Sequence, residues 1–257
     1  MALKLSYAGN THVGMKRSHN EDNLCVVAEE NLYMVADGMG GHAAGEVASQ
    51  LAVDTIAEFF RDTSRDEEIT WPYKMEKGRR YEENRLSASI KLANLRIHEM
   101  GVQNPDKKGM GTTVVAIFFS GNSAYVGHVG DSRIYRLSGS KLTQVTEDHS
   151  LLNDYIKMKD LTPQEIENFP HKNVIVRALG MKSTVQVDVV QEEPGDQDIY
   201  MLCSDGLNGM IDDPTIERIM NENRNDLEEC CAQLIQAAND NGGTDNITVV
   251  VVAVSRT

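Results

Sequence analysis

The chain has 257 residues, and its 39 acidic and 25 basic side chains give a formal net charge of −14. Such an excess of negative charge repels phosphate backbones and anionic lipid, so general binding to nucleic acid or to a membrane surface is not expected. Hydrophobic residues make up 40% of the sequence, which is ordinary for a globular protein and too high for a disordered one.

Short apolar segments rich in Val, Ile, Tyr and Phe predict β-strands along most of the chain. Two or three turn-forming residues separate neighbouring segments at 30–31, 120–122 and 138–140, which indicates hairpins and hence antiparallel sheet. The predicted strands are 24–27, 32–36, 114–119, 123–129, 134–137, 185–190, 199–203 and 247–254.

Helical periodicity is present in three longer segments, 44–60, 86–100 and 226–239. Asp226 and Glu229 resemble a capping box at the start of the third, and Thr162-Pro163 marks a further helix start. The charged segment 62–85 is interpreted as a surface connection between the first two helices. Because strands and helices occur in groups, the pattern favours an α+β fold in which antiparallel sheet packs on sheet with helices outside.

The cysteine pattern and the lack of long apolar segments indicate the cellular compartment of the protein. The four cysteines, Cys25, Cys203, Cys230 and Cys231, contain no C-x-x-C pair, so reduced thiols in the cytoplasm are the simple interpretation. No apolar run approaches the roughly 20 residues that span a bilayer, and the first six residues lack the apolar region of a signal peptide. We expect a cytoplasmic protein with no membrane partner, formed by a single domain over residues 1–257.

Four aspartates flank predicted strands. Asp37, Asp131 and Asp205 follow apolar segments, and Asp245 precedes the last one. Taken singly, an aspartate beside glycine is more often only a turn residue. An unpaired charge near the core is costly, however, and a divalent cation would compensate it. Carboxylate ligands without cysteine pairs indicate Mg²⁺ or Mn²⁺ rather than Zn²⁺.

Two further segments supply candidates for phosphate chemistry. Glycines follow Asp37 and let the backbone approach a ligand, and His42 opens the helix predicted at 44–60. A histidine near metal and phosphate can act as a general acid, although one at a helix start is more often a cap or a spacer. Arg17, which precedes Glu21 and Asp22, could form a surface ion pair or a planar fork for phosphate.

Eight short motifs follow one another along the chain. They are Arg17…Asn20-Glu21-Asp22, Val35-Ala36-Asp37-Gly38-Met39-Gly40-Gly41-His42, Gly111-Thr112-Thr113, Val129-Gly130-Asp131-Ser132-Arg133, Asp148-His149-Ser150, Arg177-Ala178-Leu179-Gly180, Cys203-Ser204-Asp205-Gly206-Leu207 and Gly243-Thr244-Asp245-Asn246-Ile247-Thr248. In this order they closely resemble the metal-dependent type 2C protein phosphatases (the PPM family), particularly its compact bacterial members. The resemblance covers about residues 5–254.

The resemblance implies a fold and a metal centre. The fold would be a central β-sandwich flanked by pairs of helices, a four-layer α-β-β-α arrangement. Asp37 would bridge two Mn²⁺ or Mg²⁺ ions, the Gly38 carbonyl would bind one of them, and Asp205 and Asp245 would complete the carboxylate set. Asp22 would hold a metal-bound water or bind a metal through it.

Further residues are assigned by the same resemblance. Glu21 is a second, weaker candidate beside Asp22, and Asp131 would form a third metal site together with Asp205. Arg17 matches the phosphate-binding arginine and His42 the proposed general acid. A variable flap beside the active site is implied at about 148–180.

The implied reaction is hydrolysis of phosphoserine and phosphothreonine by in-line attack of a water or hydroxide that bridges two ions. Phosphorylated proteins would be the substrates, including a Ser/Thr kinase whose signalling the enzyme reverses, and a monomer is the default state. Two alternatives are considered: a phosphatase of the same fold for a small phosphorylated molecule, and a non-catalytic binding module. The binding module should lack metal aspartates, yet Asp37, Asp205 and Asp245 are all present.

Overall fold

A computed structural model describes residues 3–40, 44–66, 69–159, 161–167, 169 and 174–256. The strands are β1 (Leu3–His12), β2 (Asp22–Val27), β3 (Leu32–Met39), β4 (Gly111–Thr112), β5 (Val114–Ser120), β6 (Ser123–Val129), β7 (Arg133–Ser138), β8 (Lys141–Gln144), β9 (Asp188–Glu192), β10 (Ile199–Cys203) and β11 (Ile247–Arg256). The α-helices are α1 (Ala44–Arg65), α2 (Tyr81–Gln103), α3 (Leu151–Met158), α4 (Pro163–Glu167), α5 (Asp205–Asn208), α6 (Asp213–Glu222) and α7 (Leu227–Asp240).

The strands form two antiparallel sheets. One sheet has the order β1-β11-β10-β7-β8, and the other has the order β2-β3-β5-β6-β9 with β4 beside β3. The three predicted hairpins are confirmed, because β2 pairs with β3, β5 with β6 and β7 with β8. Two-residue turns join β5 to β6 and β7 to β8, as the spacing predicts, whereas the short 3-10 helix Ala28–Glu30 and Asn31 join β2 to β3.

The burial of β11 shows why the sandwich has four layers. Val250, Val252 and Val254 belong to the core between the two sheets, whereas Val249 and Val251 belong to the core beneath α5, α6 and α7. Side chains alternate between the faces of a strand, so a strand covered on both sides appears as a continuous apolar run. Helices α1 and α2 cover the outer face of the second sheet. The predicted α+β sandwich flanked by helices is confirmed.

Some elements differ from the sequence prediction. Strand β1 is absent from it, because most of its side chains are partly or fully exposed and no apolar pattern marks it. Helix α6 is also absent, although Asp212 caps its first turn by accepting from the Thr215 N–H and Pro214 stands at its start. Strand β9 lies two to three residues later than 185–190, since its register against β6 pairs Glu192 with Ala124.

The interpretation of 62–85 as a surface connection is wrong at both ends. Helix α1 continues to Arg65 and α2 already begins at Tyr81. Between them, Trp71 packs edge-on against Phe59, with the ring centroids 5.6 Å apart. The third helix is confirmed, and Asp226 caps it by accepting from the Glu229 N–H.

The antiparallel pairing brings five chain positions to one edge of the sandwich. Asp22 begins β2 opposite Asp37, which lies near the end of β3. The end of β6 lies at the same edge because it pairs with the beginning of β5, next to the end of β3. In the other sheet, the end of β10 pairs with the beginnings of β7 and β11. Ser204 after β10 and Thr248 in β11 donate hydrogen bonds to Asp22 at the start of β2, so the loops at these edges of the two sheets meet.

The core between the sheets should be the most sensitive to truncation. Val252 is 0% exposed there, whereas Val102 in α2 is 72% exposed. We expect Val252→Ala to lower the free energy of unfolding by about 2–3 kcal/mol, through lost burial and the cavity left behind. The matched change Val102→Ala should alter it by less than about 0.5 kcal/mol. Denaturant unfolding in chelator measures both, and equal effects would contradict this packing.

Candidate metal and phosphate site

The carboxylate of Asp22 is anchored on one oxygen and left open on the other. Asp22 is 5% exposed. Its Oδ2 accepts hydrogen bonds from the hydroxyls of Ser204 and Thr248, both at 2.7 Å. Its Oδ1 is buried without a partner among the described residues. A buried charged oxygen without a partner is costly, so Oδ1 is oriented for a ligand that the protein itself does not supply.

Asp131 repeats this feature on the loop between β6 and β7. It is 8% exposed, and its Oδ1 also lacks a partner within the described part of the chain. Asp205 is the first residue of α5, and Asp245 lies just before β11. Both therefore project from strand ends at the edge where Asp37 lies.

Electrostatics confirms that these carboxylates are close neighbours. Burial is the main cause that raises the pKa of Asp37 well above its usual value, and the charges of Asp22, Asp205, Asp131 and Asp245 add to it. Burial likewise raises the pKa of Asp22 to about 7, although the hydrogen bonds from Thr248 and Ser204 oppose the shift.

The other carboxylates of the cluster show the same tendency. Burial, followed by the charge of Asp205, raises the pKa of Asp131 to about 7. Burial and the charge of Asp245 raise the pKa of Asp205. Nearby positive charge would therefore stabilise the ionised form of the cluster. Oxygen ligands with unpartnered atoms fit a hard divalent ion such as Mn²⁺ or Mg²⁺.

Arg17 lies on the loop between β1 and β2 and reaches this cluster. Its Nη2 donates to Asp245 Oδ2 at 2.7 Å, and this bond is the main cause that raises the pKa of Arg17. The loop is held by Asn246, whose Nδ2 donates to the carbonyls of Val13 and His19. Gly14 has φ +80° and lies so close to the Asp245 carbonyl that a Cβ would be 2.1 Å away. Only glycine fits at position 14, where the two backbone segments lie this close together.

Glu21 and Gly38 join the strand edge to helix α1. The Gly38 N–H donates to the Glu21 carbonyl at 3.1 Å. A Cβ on Gly38 would lie 2.2 Å from the Gly45 carbonyl oxygen, and one on Gly45 would lie 2.6 Å from Glu21 Oε1. The Glu21 carboxylate thus lies against the first turn of α1, and its charge, like that of Asp37, makes a smaller contribution to the raised pKa of Arg17.

The structure brings six predicted residues to one edge, namely Arg17, Asp22, Asp37, Asp131, Asp205 and Asp245. His42 and Gly41 lie outside the described residues. The predicted roles of the site residues stay predictions.

Residues that support the aspartates were not assigned a role from the sequence. Thr113 Oγ1 accepts from the Asp37 N–H at 3.1 Å and lies 2.6 Å from Ser132 Oγ, while the Thr113 N–H donates to the Asp37 carbonyl. This hydroxyl pair links the backbone of Asp37 to the loop that carries Asp131. The signal was present, since Thr113, Ser132, Ser204 and Thr248 all stand in the motifs, but their partners are distant in sequence.

Comparison with known proteins identifies the family. The sequence profile described as Protein phosphatase 2C matches residues 8–249. The chain belongs to this family. Its membership confirms the predicted enzyme class, a metal-dependent phosphoprotein phosphatase of the bacterial type, and the predicted fold.

Named relatives agree over nearly the full length. The serine/threonine phosphatase stp of Listeria monocytogenes is 37% identical over 249 residues, which cover 94% of this chain and 93% of the relative. The crystal structure of the Mycobacterium tuberculosis serine/threonine phosphatase PstP/Ppp has a TM-score of 0.84 at 35% identity and covers 98% of this chain and 99% of that one. The catalytic domain of PstP in complex with two manganese ions has a TM-score of 0.82 at 36% identity, with 99% and 100% covered.

The described part of the chain bears on two expectations from the sequence, the absence of a membrane span and the absence of disulfide bonds. No helix there is long and apolar enough to cross a bilayer. The four cysteines are free thiols, and Cys203, Cys230 and Cys231 are buried.

The raised pKa values predict a pH-dependent stability. Asp22 and Asp131 have a pKa of about 7 in the folded protein, against about 3.9 for an aspartate in an unfolded chain. Between these values the folded state binds more protons, so its stability decreases as pH rises. We expect the free energy of unfolding of the metal-free protein to fall between about pH 6 and pH 8, by about 1 kcal/mol for Asp131 alone.

Denaturant unfolding in chelator at several pH values measures this slope. Asp131→Asn should flatten it, because the variant no longer has this titrating group. Mn²⁺ should stabilise the wild type more at pH 8 than at pH 6, because protons and cations compete for the same oxygens. A wild-type stability that is constant over this pH range would contradict the raised pKa values.

Proposed function

We propose that this protein hydrolyses phosphoserine and phosphothreonine in proteins with ions held by Asp37, the Gly38 carbonyl, Asp205 and Asp245. It is a metal-dependent serine/threonine phosphatase of the 2C family. The observation that carries the proposal is the cluster of buried, mutually repelling carboxylates beside the guanidinium of Arg17. The PstP catalytic domain, 36% identical, holds two manganese ions.

Each carboxylate has a distinct task in this proposal. Asp37 would be the central metal ligand, because the charges of Asp22, Asp205, Asp131 and Asp245 all act on it. Asp22, through its unpartnered Oδ1, would bind an ion or its water, and Asp131, through its own, would hold a third ion together with Asp205. When bound, the ions neutralise the charge of the phosphate and lower the pKa of a water molecule.

Arg17 and His42 act on the phosphate group. The Arg17 guanidinium is a planar fork that suits two non-bridging phosphate oxygens. Its present partner is Asp245, and both side chains are at least one-third exposed, so exchanging this ion pair for phosphate costs little. His42 donates a proton to the departing serine or threonine oxygen, a task typically worth about 10²–10⁴-fold in rate.

Several expectations complete the proposal. Residues 1–257 form one catalytic domain, in which 148–180 is a flap at the rim of the site. Within this flap α3 and α4 are described, and isolated bridges join Ser150 to Ile175 and Leu179 to Thr112. The protein works as a monomer in the cytoplasm, and a Ser/Thr kinase is among its substrates.

The decisive experiment is the release of phosphate from a phosphothreonine peptide. We expect activity with Mn²⁺, none after exhaustive chelation, and a loss of about 10³-fold or more in Asp37→Asn, since several kcal/mol of charge stabilisation disappear. Asp106→Asn is the matched control, because Asp106 is exposed in the short 3-10 helix Pro105–Lys107. It should retain full activity.

Other outcomes would separate the alternatives. If the wild type with Mn²⁺ leaves the peptide intact but turns over a small phosphorylated molecule, the metal site stands and the protein substrate is wrong. If it turns over neither while Mn²⁺ still binds, the chain is a binding module. Activity that survives exhaustive chelation would overturn the metal mechanism altogether.

The role of Arg17 can be tested against an equally paired arginine elsewhere. Arg61 donates to Glu29 at 3.0 Å and is comparably exposed. We expect Arg17→Ala to lower kcat/KM by about 10- to 100-fold, because a charge-assisted fork to phosphate is lost, and Arg17→Lys to restore only part of it. Arg61→Ala should leave kcat/KM unchanged. Steady-state kinetics on the same peptide measure this, and equal values for Arg17→Ala and wild type would remove Arg17 from phosphate binding.

A further inference from the structure

A buried histidine holds the residue that precedes Asp131. His149 follows β8 and lies beneath the loop between β6 and β7. Its backbone N–H donates to the Gly130 carbonyl at 2.9 Å, and the Gly130 N–H donates to His149 Nδ1 at 3.0 Å. Both polar backbone groups of Gly130 are therefore bound by a single residue.

The hydrogen bonds fix the tautomer of this histidine. Because Nδ1 accepts from Gly130, the ring proton of neutral His149 lies on Nε2, which donates to Asp188 Oδ2 at 3.1 Å. Arg177 Nη1 donates to Asp188 Oδ1 at 2.9 Å. A chain of contacts thus runs from Arg177 through Asp188 and His149 to the backbone beside Asp131.

Gly130 needs such a restraint. Its φ is +113°, and a Cβ would lie 2.6 Å from Thr113 Cβ, so no other residue fits. A glycine is free to rotate about its backbone torsions, so it cannot fix the direction of the next side chain by itself. On the far side of Asp131, Ser132 is held by Thr113. The position of Asp131 therefore depends on the hydrogen bonds of its two neighbours.

We propose that His149 is a positioning residue for Asp131, and that Asp188, itself held by Arg177, keeps it in the required tautomer and orientation. The inference rests on the proposed function, in which Asp131 and Asp205 hold a third ion. Partners that orient a metal ligand typically contribute 10- to 100-fold to metal affinity. His149 accordingly sets the affinity for the third ion and leaves the ions on Asp37 to the other carboxylates.

The same residues could be taken for a metal site of their own. Among the described residues, ligand atoms of His128, His149 and Asp188 lie within 4.8 Å of one another. However, the rings of His128 and His149 stack with centroids 4.6 Å apart and planes 15° apart, so one ion cannot lie in the plane of both. Arg177 Nη1 also lies 3.0 Å from His149 Nε2. Both nitrogens carry protons in this tautomer, so the contact is a close approach without a hydrogen bond, and it places a positive charge beside the nitrogen that an ion would need. The geometry therefore favours positioning over metal binding.

Two substitutions of His149 separate its two hydrogen bonds. The amide oxygen of His149→Asn can replace Nδ1 as the acceptor for the Gly130 N–H, whereas His149→Gln reaches toward Asp188 and leaves that N–H without a partner. We expect His149→Gln to raise the Mn²⁺ concentration for half-maximal activity by about 10- to 100-fold, and His149→Asn to raise it less. Asp188→Asn, at a side chain that is 36% exposed, should keep the fold and should also raise the Mn²⁺ concentration for half-maximal activity.

A second experiment asks whether the effect passes through Asp131. In an Asp131→Ala background, neither His149→Gln nor Asp188→Asn should shift the Mn²⁺ requirement further, because residues that act as one unit are not additive. Direct Mn²⁺ titration by calorimetry should show Asp131→Ala and His149→Gln binding one ion fewer than the wild type at the same Mn²⁺ concentration. Thermal unfolding in chelator checks that each variant is folded.

Several results would overturn the inference. They are additive shifts in the double variants, an unchanged Mn²⁺ requirement in folded Asp188→Asn and His149→Gln, or no effect of Asp131→Ala on ion number. An ion lost on His128→Asn but not on Asp131→Ala would assign the ion to the histidine pair instead. Failure of the proposed function appears separately, as a wild type that binds Mn²⁺ and releases no phosphate. The ion count of His149→Gln is still decisive in that case.

Discussion

Mutual repulsion among buried carboxylates is the constraint on which the site depends. Isolated carboxylates at this depth would move toward water, but each one here is fixed to a strand end or a helix start in one of two packed sheets. Hydroxyl donors hold one oxygen of Asp22, and Arg17 holds one of Asp245. The Oδ1 atoms of Asp22 and Asp131 remain buried without a partner among the described residues. The rigid sheets thus hold the negative carboxylates close together, and bound cations neutralise their charge.

The supporting hydrogen bonds around the cluster have a common geometry. Thr113 binds both polar backbone groups of Asp37, and His149 binds both polar backbone groups of Gly130. Asn246 connects three points of the loop that carries Arg17. In each case one residue, through its side chain and in two cases also its backbone N–H, fixes the backbone of a residue in or beside the site. The unpartnered Oδ1 atoms of Asp22 and Asp131 therefore stay free for a ligand, while hydrogen bonds to neighbouring groups hold these residues in place.

The sequence predicted those parts of the fold and site whose signals are local. Strands covered on both faces, such as β10 and β11, are continuous apolar runs, and the aspartates are found because they stand at the ends of such runs. The edge strand β1 has no such pattern, so it was missed. The roles of Ser204 and Thr248 were also missed, because they bind Asp22 across 182 and 226 residues. No periodicity within a short window reports contacts between residues that are so far apart.

The position of β11 in the sheet affects how the enzyme folds during its synthesis. This strand lies between β1 and β10, and the two residues before it supply Asp245 and the Asn246 that anchors Glu21 across 225 residues. Pairing strands that are so far apart in sequence costs loop-closure entropy, and this cost arises before the new contacts can offset it. During synthesis, neither the first sheet nor the arginine loop can be completed until the segment 245–256 has left the ribosome. A nascent chain therefore has an incomplete site until residues 245–256 have emerged, so activity toward phosphoproteins is expected only after that point.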